Sequence, residues 1–281
     1  MQFGWPEPQV ILNEFHTDPD LLWVTRDYQE RLGRARAHHA RVIFMGDSCV
    51  EFSTYPRRTL ERLAHVNAEL GSGEKLGVPG WSSEQGLAQM LRDLPTLQPR
   101  VITIEFGWND HWDALGPPDD QTHPGPAALW ASEHVRVYQA YRKAVLGLQL
   151  RRHPEGPRRV SLERYRENLR TMVEQGVRLG ARVVLITAPT DHEPGHEPAY
   201  LRARHLRELT QLVPLHAAYV QATRVVAGQT GAALCDAAAT MEQLGGGRRR
   251  YFRPDGIHFN EAGDVFMGDF VASCIASAIG R

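Results

Sequence analysis

The chain has 281 residues, 42% of them hydrophobic, and a formal net charge of −1. That length supplies one large core, and the near-neutral balance gives no overall field to draw nucleic acid or an anionic membrane surface. Three cysteines, Cys49, Cys235 and Cys274, are too few and too scattered for a disulfide framework or a zinc cage. No run of the sequence approaches the ~18 apolar residues of a membrane span, and Met1 to Glu30 lacks the apolar core of a signal peptide. Read literally, such a start keeps the chain in the cytoplasm. A trimmed export signal or anchor would place it outside, and the residues do not choose between the two or report an oligomeric state.

In chain order, residues 1–40 read as an irregular arm ending in a charged helix, Arg26 to His39. Arg41–Met45 reads as a buried strand, a short apolar run with β-branched residues. Arg57–Leu70 has a helical pattern, with Leu60, Leu63, Ala64 and Ala68 on one face, stopped by Gly71-Ser72-Gly73. Leu76–Val78 is a short strand candidate before the turn Pro79-Gly80-Trp81, and Glu84–Leu94 is a helix closed by Pro95 and Pro99. Arg100–Phe106 is a second clear strand that runs into Gly107-Trp108-Asn109-Asp110. Residues 111–160 break the rhythm with repeated prolines and one helical stretch from Leu129 to Leu150. They read as an insertion or lid within a single domain spanning residues 41–281. Ser161–Leu179 is an amphipathic helix and Arg182–Thr187 a third clear strand. A helical stretch follows from Ala199 to Thr230, with Pro214 expected to kink or break it. Ala232–Cys235 is a short strand candidate, and Asn260 is placed to cap a final helix to Ile279.

Strands that alternate with helices predict an α/β protein with a parallel sheet covered on both faces, and crossover handedness makes it doubly wound. In such a sheet the site lies beyond the carboxyl ends of the strands. Candidate strands there end at Gly46-Asp47-Ser48, at Gly80, at Gly107 to Asp110 and at Pro189 to His196. Asp255 and His258 stand three positions apart just before the last helix. Serine is a weak nucleophile until a histidine takes its proton and a carboxylate holds that histidine in the right tautomer. The chain contains all three parts, in the order Ser, Asp, His.

Gly46-Asp47-Ser48, Gly80, Gly107-Trp108-Asn109-Asp110 and Asp255-x-x-His258 resemble, in order, the four sequence blocks of the SGNH hydrolases, or GDSL esterase/lipase family. The resemblance covers roughly residues 41–275. It implies a flavodoxin-like three-layer α/β/α sandwich with a central parallel sheet of about five strands. It also implies ester hydrolysis or acyl transfer without a cofactor or metal. Carried over by position, Ser48 would be the nucleophile, His258 the base and Asp255 the orienting acid. The oxyanion hole would be the backbone N–H of Ser48 and Gly80 with the side-chain amide of Asn109. The chain has no Gly-x-Ser-x-Gly around Ser48, so the nucleophile elbow of the α/β-hydrolases is not indicated.

Further residues gather at these loops. Trp81, Trp108 and Trp112 are candidates for a substrate wall, and Asp110 and His111 for shaping it. Glu105 lies in an apolar strand and, if buried, needs a partner, for which an arginine is the first candidate. His192-Glu193-Pro194-Gly195-His196 has metal-like spacing, but the Pro-Gly breaks the helix that would align the two imidazoles, which favours a cleft loop. Arg151-Arg152, Arg158-Arg159 and Arg248-Arg249-Arg250 read as solvated loop faces.

The expected function is a serine carboxylic-ester hydrolase removing short acyl groups, such as acetyl, from a carbohydrate or small ester. The partner is then a small-molecule or glycan ester, with no nucleic acid. The alternatives are an O-acyltransferase that uses the same triad on a glycan, and a catalytically silent module that binds polysaccharide or protein.

Overall fold

A computed structural model describes residues 26–114, 118–121, 157–201 and 206–280, with scattered positions between 127 and 141. Most of the helical stretch expected from Leu129 to Leu150 therefore lies outside the described residues, as do most of the middle of the block 111–160 and the start of the N-terminal arm; the ends of that block, 111–114, 118–121 and 157–160, are described.

Five short strands form one sheet: β1 Val42–Gly46, β2 Gly73–Lys75, β3 Val101–Glu105, β4 Arg182–Ile186 and β5 Ala233–Cys235. All pair in parallel in the order β2-β1-β3-β4-β5. Parallel strands need crossovers, and the helices that supply them cover both faces. Alternate strand residues divide between the two layers. Ile43, Met45, Ile102, Ile104, Val183 and Leu185 point into one core. There they meet α1 (Arg26–Ala37), α4 (Ser83–Arg92), α5 (Leu162–Arg178) and α6 (Leu212–Thr230). Val42, Phe44, Val101, Val184 and Ile186 point into the other. That face is covered by α3 (Tyr55–Val66), α7 (Ala237–Glu242) and α8 (Glu261–Ile279). The result is the parallel sheet covered on both faces that the alternation of elements predicts, in the flavodoxin-like three-layer form that the family resemblance implies.

Several expectations shift. The charged helix at the end of the arm, α1, is packed into the body: Tyr28 and Leu32 are buried, and Tyr28 donates to Asp93 at 2.6 Å. The short strand expected at Leu76–Val78 lies three residues earlier, at Gly73–Lys75. Pro214 neither kinks nor breaks a helix. α6 begins at Leu212, so the proline sits in its first turn, where its missing N–H has no intrahelical acceptor to lose. Cys235 and Cys274 are joined in a disulfide between β5 and α8, with Cα atoms 5.6 Å apart. Their wide sequence spacing hid a pairing that only the packing of α8 on the sheet creates. Cys49 is free and buried.

By length and composition α8 is apolar enough to cross a membrane. Here Met267, Val271 and Ile275 are buried against the sheet, and Asp269 is paired with Arg58 and Arg62 of α3. Asn260 caps the helix, its side chain accepting from the Gly263 N–H.

Candidate active site

The chain leaves β1 for the outer strand β2 and returns to the other side of β1 as β3, so the strand order reverses between β1 and β3. Loops leaving two strands in opposite directions open a crevice at such a switch point. Ser48 follows β1 and Asn109 follows β3.

The nucleophile turn is built locally. Asp47 caps the one-turn helix α2 (Ser48–Glu51), its Oδ1 accepting from the Cys49 N–H at 2.8 Å. Ser48, the first residue of that helix, stands partly exposed above the strand end. Across the crevice a loop folds back on itself through the Phe252–Phe259 bridge and the Arg253 N–H, which donates to the His258 carbonyl at 2.7 Å. Gly256 makes the tight turn with φ +70°, and a Cβ there would lie 2.8 Å from His192 Nε2, so both conformation and space call for glycine. Within this loop Asp255 Oδ1 accepts from the N–H of Ile257 and of His258, each at 2.9 Å. Its Oδ2 lies 2.9 Å from His258 Nδ1. Partial burial would push the Asp255 carboxyl up, but the hydrogen bonds from the His258 ring and the two backbone groups hold it down at about 2. A carboxylate only accepts, so Nδ1 carries the proton and Nε2 is left to accept from Ser48 Oγ, 2.9 Å away.

The expected oxyanion donors are the N–H groups of Ser48 and Gly80 and the Asn109 amide. The N–H groups of Ser48 and Gly80 have no acceptor among the described residues. Gly80 has φ +81°, and its carbonyl accepts from Arg159 Nη1 at 2.8 Å. Arg159 is buried and paired with Asp119 at 2.9 Å, which also accepts from Ser82 Oγ at 2.8 Å. Gly77, the other glycine of this segment, is tucked beneath the nucleophile turn, where a Cβ would come 2.9 Å from the Asp47 carbonyl. Asn109 Nδ2 donates to Asp47 Oδ2 and to the Trp81 carbonyl, both at 3.0 Å. Both of its hydrogens are engaged, so a third acceptor arriving at the crevice has to share one of them.

The residues expected to form a substrate wall lie beneath the surface. Trp81 is 1% exposed and packs on Tyr28, with ring centroids 5.7 Å apart. Trp108 is stacked on His216 at 4.0 Å, and Trp112 packs against Trp108 and His111. His216 Nε2 donates to the Ala188 carbonyl at 2.8 Å, which leaves Nδ1 to accept from His111 Nε2 at 3.2 Å. Burial lowers both imidazoles, His216 to about 4, so both are neutral. Asp110 is fully buried; one oxygen accepts from the Ser83 N–H, and burial pushes the carboxyl up to about 7 despite that bond. Apolar rings at this strand end therefore make a packed floor, and their alternation with polar residues gave no sign of depth.

Glu105 is buried, and its partner is Tyr55, not an arginine: the phenol donates to Oε2 at 2.6 Å. Its Oε1 has no partner among the described residues, and burial pushes the carboxyl up to about 8. Of the loop faces expected to be solvated, Arg159 is buried with Asp119, and Arg158 and Arg248 are partly buried beside Asp113 and Glu193, whereas Arg249 and Arg250 are exposed as expected. Arg151 and Arg152 lie outside the described residues. Among the described residues no contact joins His192 to His196; His192 Nε2 donates to the Asp255 carbonyl at 2.9 Å, which braces the loop that carries His258. Sequence reasoning missed Asp119, Arg159 and His192 as supports, because each acts on a residue tens of positions away.

Comparison with known proteins agrees with this architecture. The model of the GDSL-like Lipase/Acylhydrolase family matches residues 44–264. A solved structure from Parabacteroides merdae, described as a GDSL-like lipase, superposes with a TM-score of 0.58 at 16% identity, covering 85% of this chain and 96% of its own. A GDSL-like lipase from Bacteroides thetaiotaomicron gives 0.55 at 17% identity, with coverages of 90% and 97%. The lipase/acylhydrolase from Enterococcus faecalis gives 0.52 at 19%, with coverages of 84% and 96%. No match is found among curated proteins. The family match spans most of the chain and the solved structures share its fold: the chain belongs to the GDSL-like lipase/acylhydrolase family and is a carboxylic-ester hydrolase.

Proposed function

We propose that the enzyme works through a Ser48–His258–Asp255 triad and cleaves short acyl esters of a small alcohol or a carbohydrate. The observation that carries this reading is the unbroken chain of 2.9 Å contacts from Ser48 Oγ through His258 to Asp255. In the first step His258 Nε2 takes the serine proton as Oγ attacks the ester carbonyl carbon. The negative oxygen of the tetrahedral intermediate is met by the N–H groups of Ser48 and Gly80 and by one Asn109 hydrogen shared away from Asp47 or Trp81. His258 then protonates the leaving alcohol, and water repeats the sequence on the acyl-enzyme. Asp255 stays ionised throughout and stabilises the imidazolium that forms.

The short acyl group follows from the packed floor. Trp81, Trp108 and Trp112 are buried and contribute no long apolar trough. Turnover of p-nitrophenyl acetate tests the reading. Ser48→Ala is expected to lower it by roughly 10⁴-fold or more with the fold intact, and to abolish labelling by a fluorophosphonate probe. Undiminished turnover would remove Ser48 as the nucleophile, and faster hydrolysis of long-chain p-nitrophenyl esters would remove the short-acyl assignment.

A further inference from the structure

Phe52 caps the C-terminal end of α2, four residues from Ser48, and its N–H donates to the Ser48 carbonyl at 2.9 Å. Side chains at that spacing share one face of a helix. The Phe52 ring is 48% exposed, although most large apolar side chains at this edge are buried. It lies 5.5 Å from the His258 imidazole, centroid to centroid, at a tilt of 52°. Arg253 holds the two segments together. Its Nη2 donates to the Phe52 carbonyl at 3.2 Å and its Nε to the Phe259 carbonyl at 2.9 Å. The ring is therefore an anchored, solvent-facing apolar surface beside the histidine.

The chemistry says which half of an ester meets that surface. As the carbonyl carbon bonds to Ser48 Oγ, its carbonyl oxygen points at the N–H groups of Ser48 and Gly80. When the intermediate collapses, the bond from that carbon to the alkoxyl oxygen breaks. The proton taken from Ser48 passes from His258 Nε2 to the alkoxyl oxygen, which must lie within hydrogen-bond reach of Nε2. A group against the imidazole thus borders the alcohol half of the substrate, not the acyl half. We propose that Phe52 is a specificity-determining residue for the alcohol. It favours alcohols with a flat apolar face, an aryl ring or the C–H face of a pyranose, over small alkanols. The proposal rests on the Ser48–His258 reading above.

The test compares the wild-type enzyme with Phe52→Ala and Phe52→Trp on two ester series. One holds acetate fixed and varies the alcohol through ethanol, benzyl alcohol and a methyl xyloside; differences in leaving-group acidity cancel because each ratio is compared between variant and wild type. The other holds benzyl alcohol fixed and varies acetate, propionate and butyrate. In Phe52→Ala the benzyl-to-ethyl and xyloside-to-ethyl ratios of kcat/KM are expected to fall about tenfold, while the acyl ranking stays as in the wild type. Phe52→Trp should keep both ratios high. Equal loss on every ester would overturn the proposal, since the ring would then only support His258. A changed acyl ranking would overturn it by placing the ring on the acyl side, and unchanged ratios would show that it touches no substrate. Full activity in Ser48→Ala is a separate failure, of the underlying triad and not of the alcohol preference.

Discussion

Asp255 and Glu105 are carboxylates at the same edge of the same sheet, yet their surroundings drive them to opposite charge states. Asp255 is half-buried and takes three hydrogen bonds from Ile257 and His258, which hold it ionised with a pKa of about 2. Glu105 is paired in register with Gly46 beneath the nucleophile turn; it has one donor, Tyr55, and burial pushes it up to about 8. Buried Asp47 adds negative charge nearby and raises it further. The comparison teaches that donor count against desolvation, not residue type, sets the charge state of the two acids: Asp255 is ionised in a tier facing the crevice, and Glu105 is the protonated member of a buried tier below that also holds Asp47. Asn109 connects the two, since it donates to Asp47 and borders the crevice.

The upper tier gives the largest expected effects. Asp255→Asn keeps the shape but presents Nδ1 with an amide, which can favour the wrong tautomer of His258. We expect kcat to fall by roughly 10³–10⁴-fold, and the melting temperature to drop as well, because the charge favoured by the three hydrogen bonds is lost; a loss of kcat under tenfold would remove Asp255 from the mechanism. Asn109→Ala is expected to lower kcat by roughly 10²–10³-fold with a smaller change in KM, the signature of a donor used in the transition state. The same variant leaves Asp47 with one donor fewer, so its melting temperature should also drop. A fall in stability with kcat intact would assign Asn109 to the lower tier alone.

The lower tier predicts a pH-dependent stability with activity as a bystander. Glu105 has a folded pKa near 8, above the ordinary value of 4.5. Its contribution is fully present below pH 4.5 and is lost as pH rises through 8, because the unfolded chain releases the proton first. Glu105→Gln keeps the acceptor for Tyr55 and has no proton to release. Urea unfolding at pH 5.5 and pH 8.5 should show the variant gaining on the wild type by a few kcal/mol, at about 1.4 kcal/mol per pKa unit. Equal pH slopes would mean that Glu105 is ionised in the fold. Asp255 has the reverse sign: its folded pKa lies under 3.8, so its contribution is present above pH 3.8 and lost as pH falls through 2. The smallest expected effect is the tenfold change of alcohol preference in Phe52→Ala, which asks whether the upper tier extends beyond the polar groups.

Much of this was legible in the chain because it is local. Strand runs such as Val42-Ile43-Phe44-Met45 carry their own pattern, and Asp255-Gly256-Ile257-His258 closes its own hydrogen bonds within four residues. The positions of Gly46 and Gly107 at strand ends followed from strand placement, whereas Gly80 stands five residues beyond the end of β2; parallel pairing brought the loops that leave the strands to one edge. Phe52 was overlooked although it stands four residues from Ser48, since an apolar residue there reads as core.

The sequence by itself determined the alternation of strands and helices, the order of the Ser, Gly, Asn, Asp and His blocks, and through them the family. These depend on short-range periodicity and turn chemistry, which any segment carries within itself. Only the tertiary structure decided depth and partnership. It sank Trp81, Trp108 and Trp112 into the floor and gave Glu105 a tyrosine. It set Arg159 and Asp119 behind Gly80, joined Cys235 to Cys274 across β5 and α8, and left Phe52 in the open. Burial and pairing are properties of what lies opposite a residue after packing, and that neighbour is supplied by segments far along the chain.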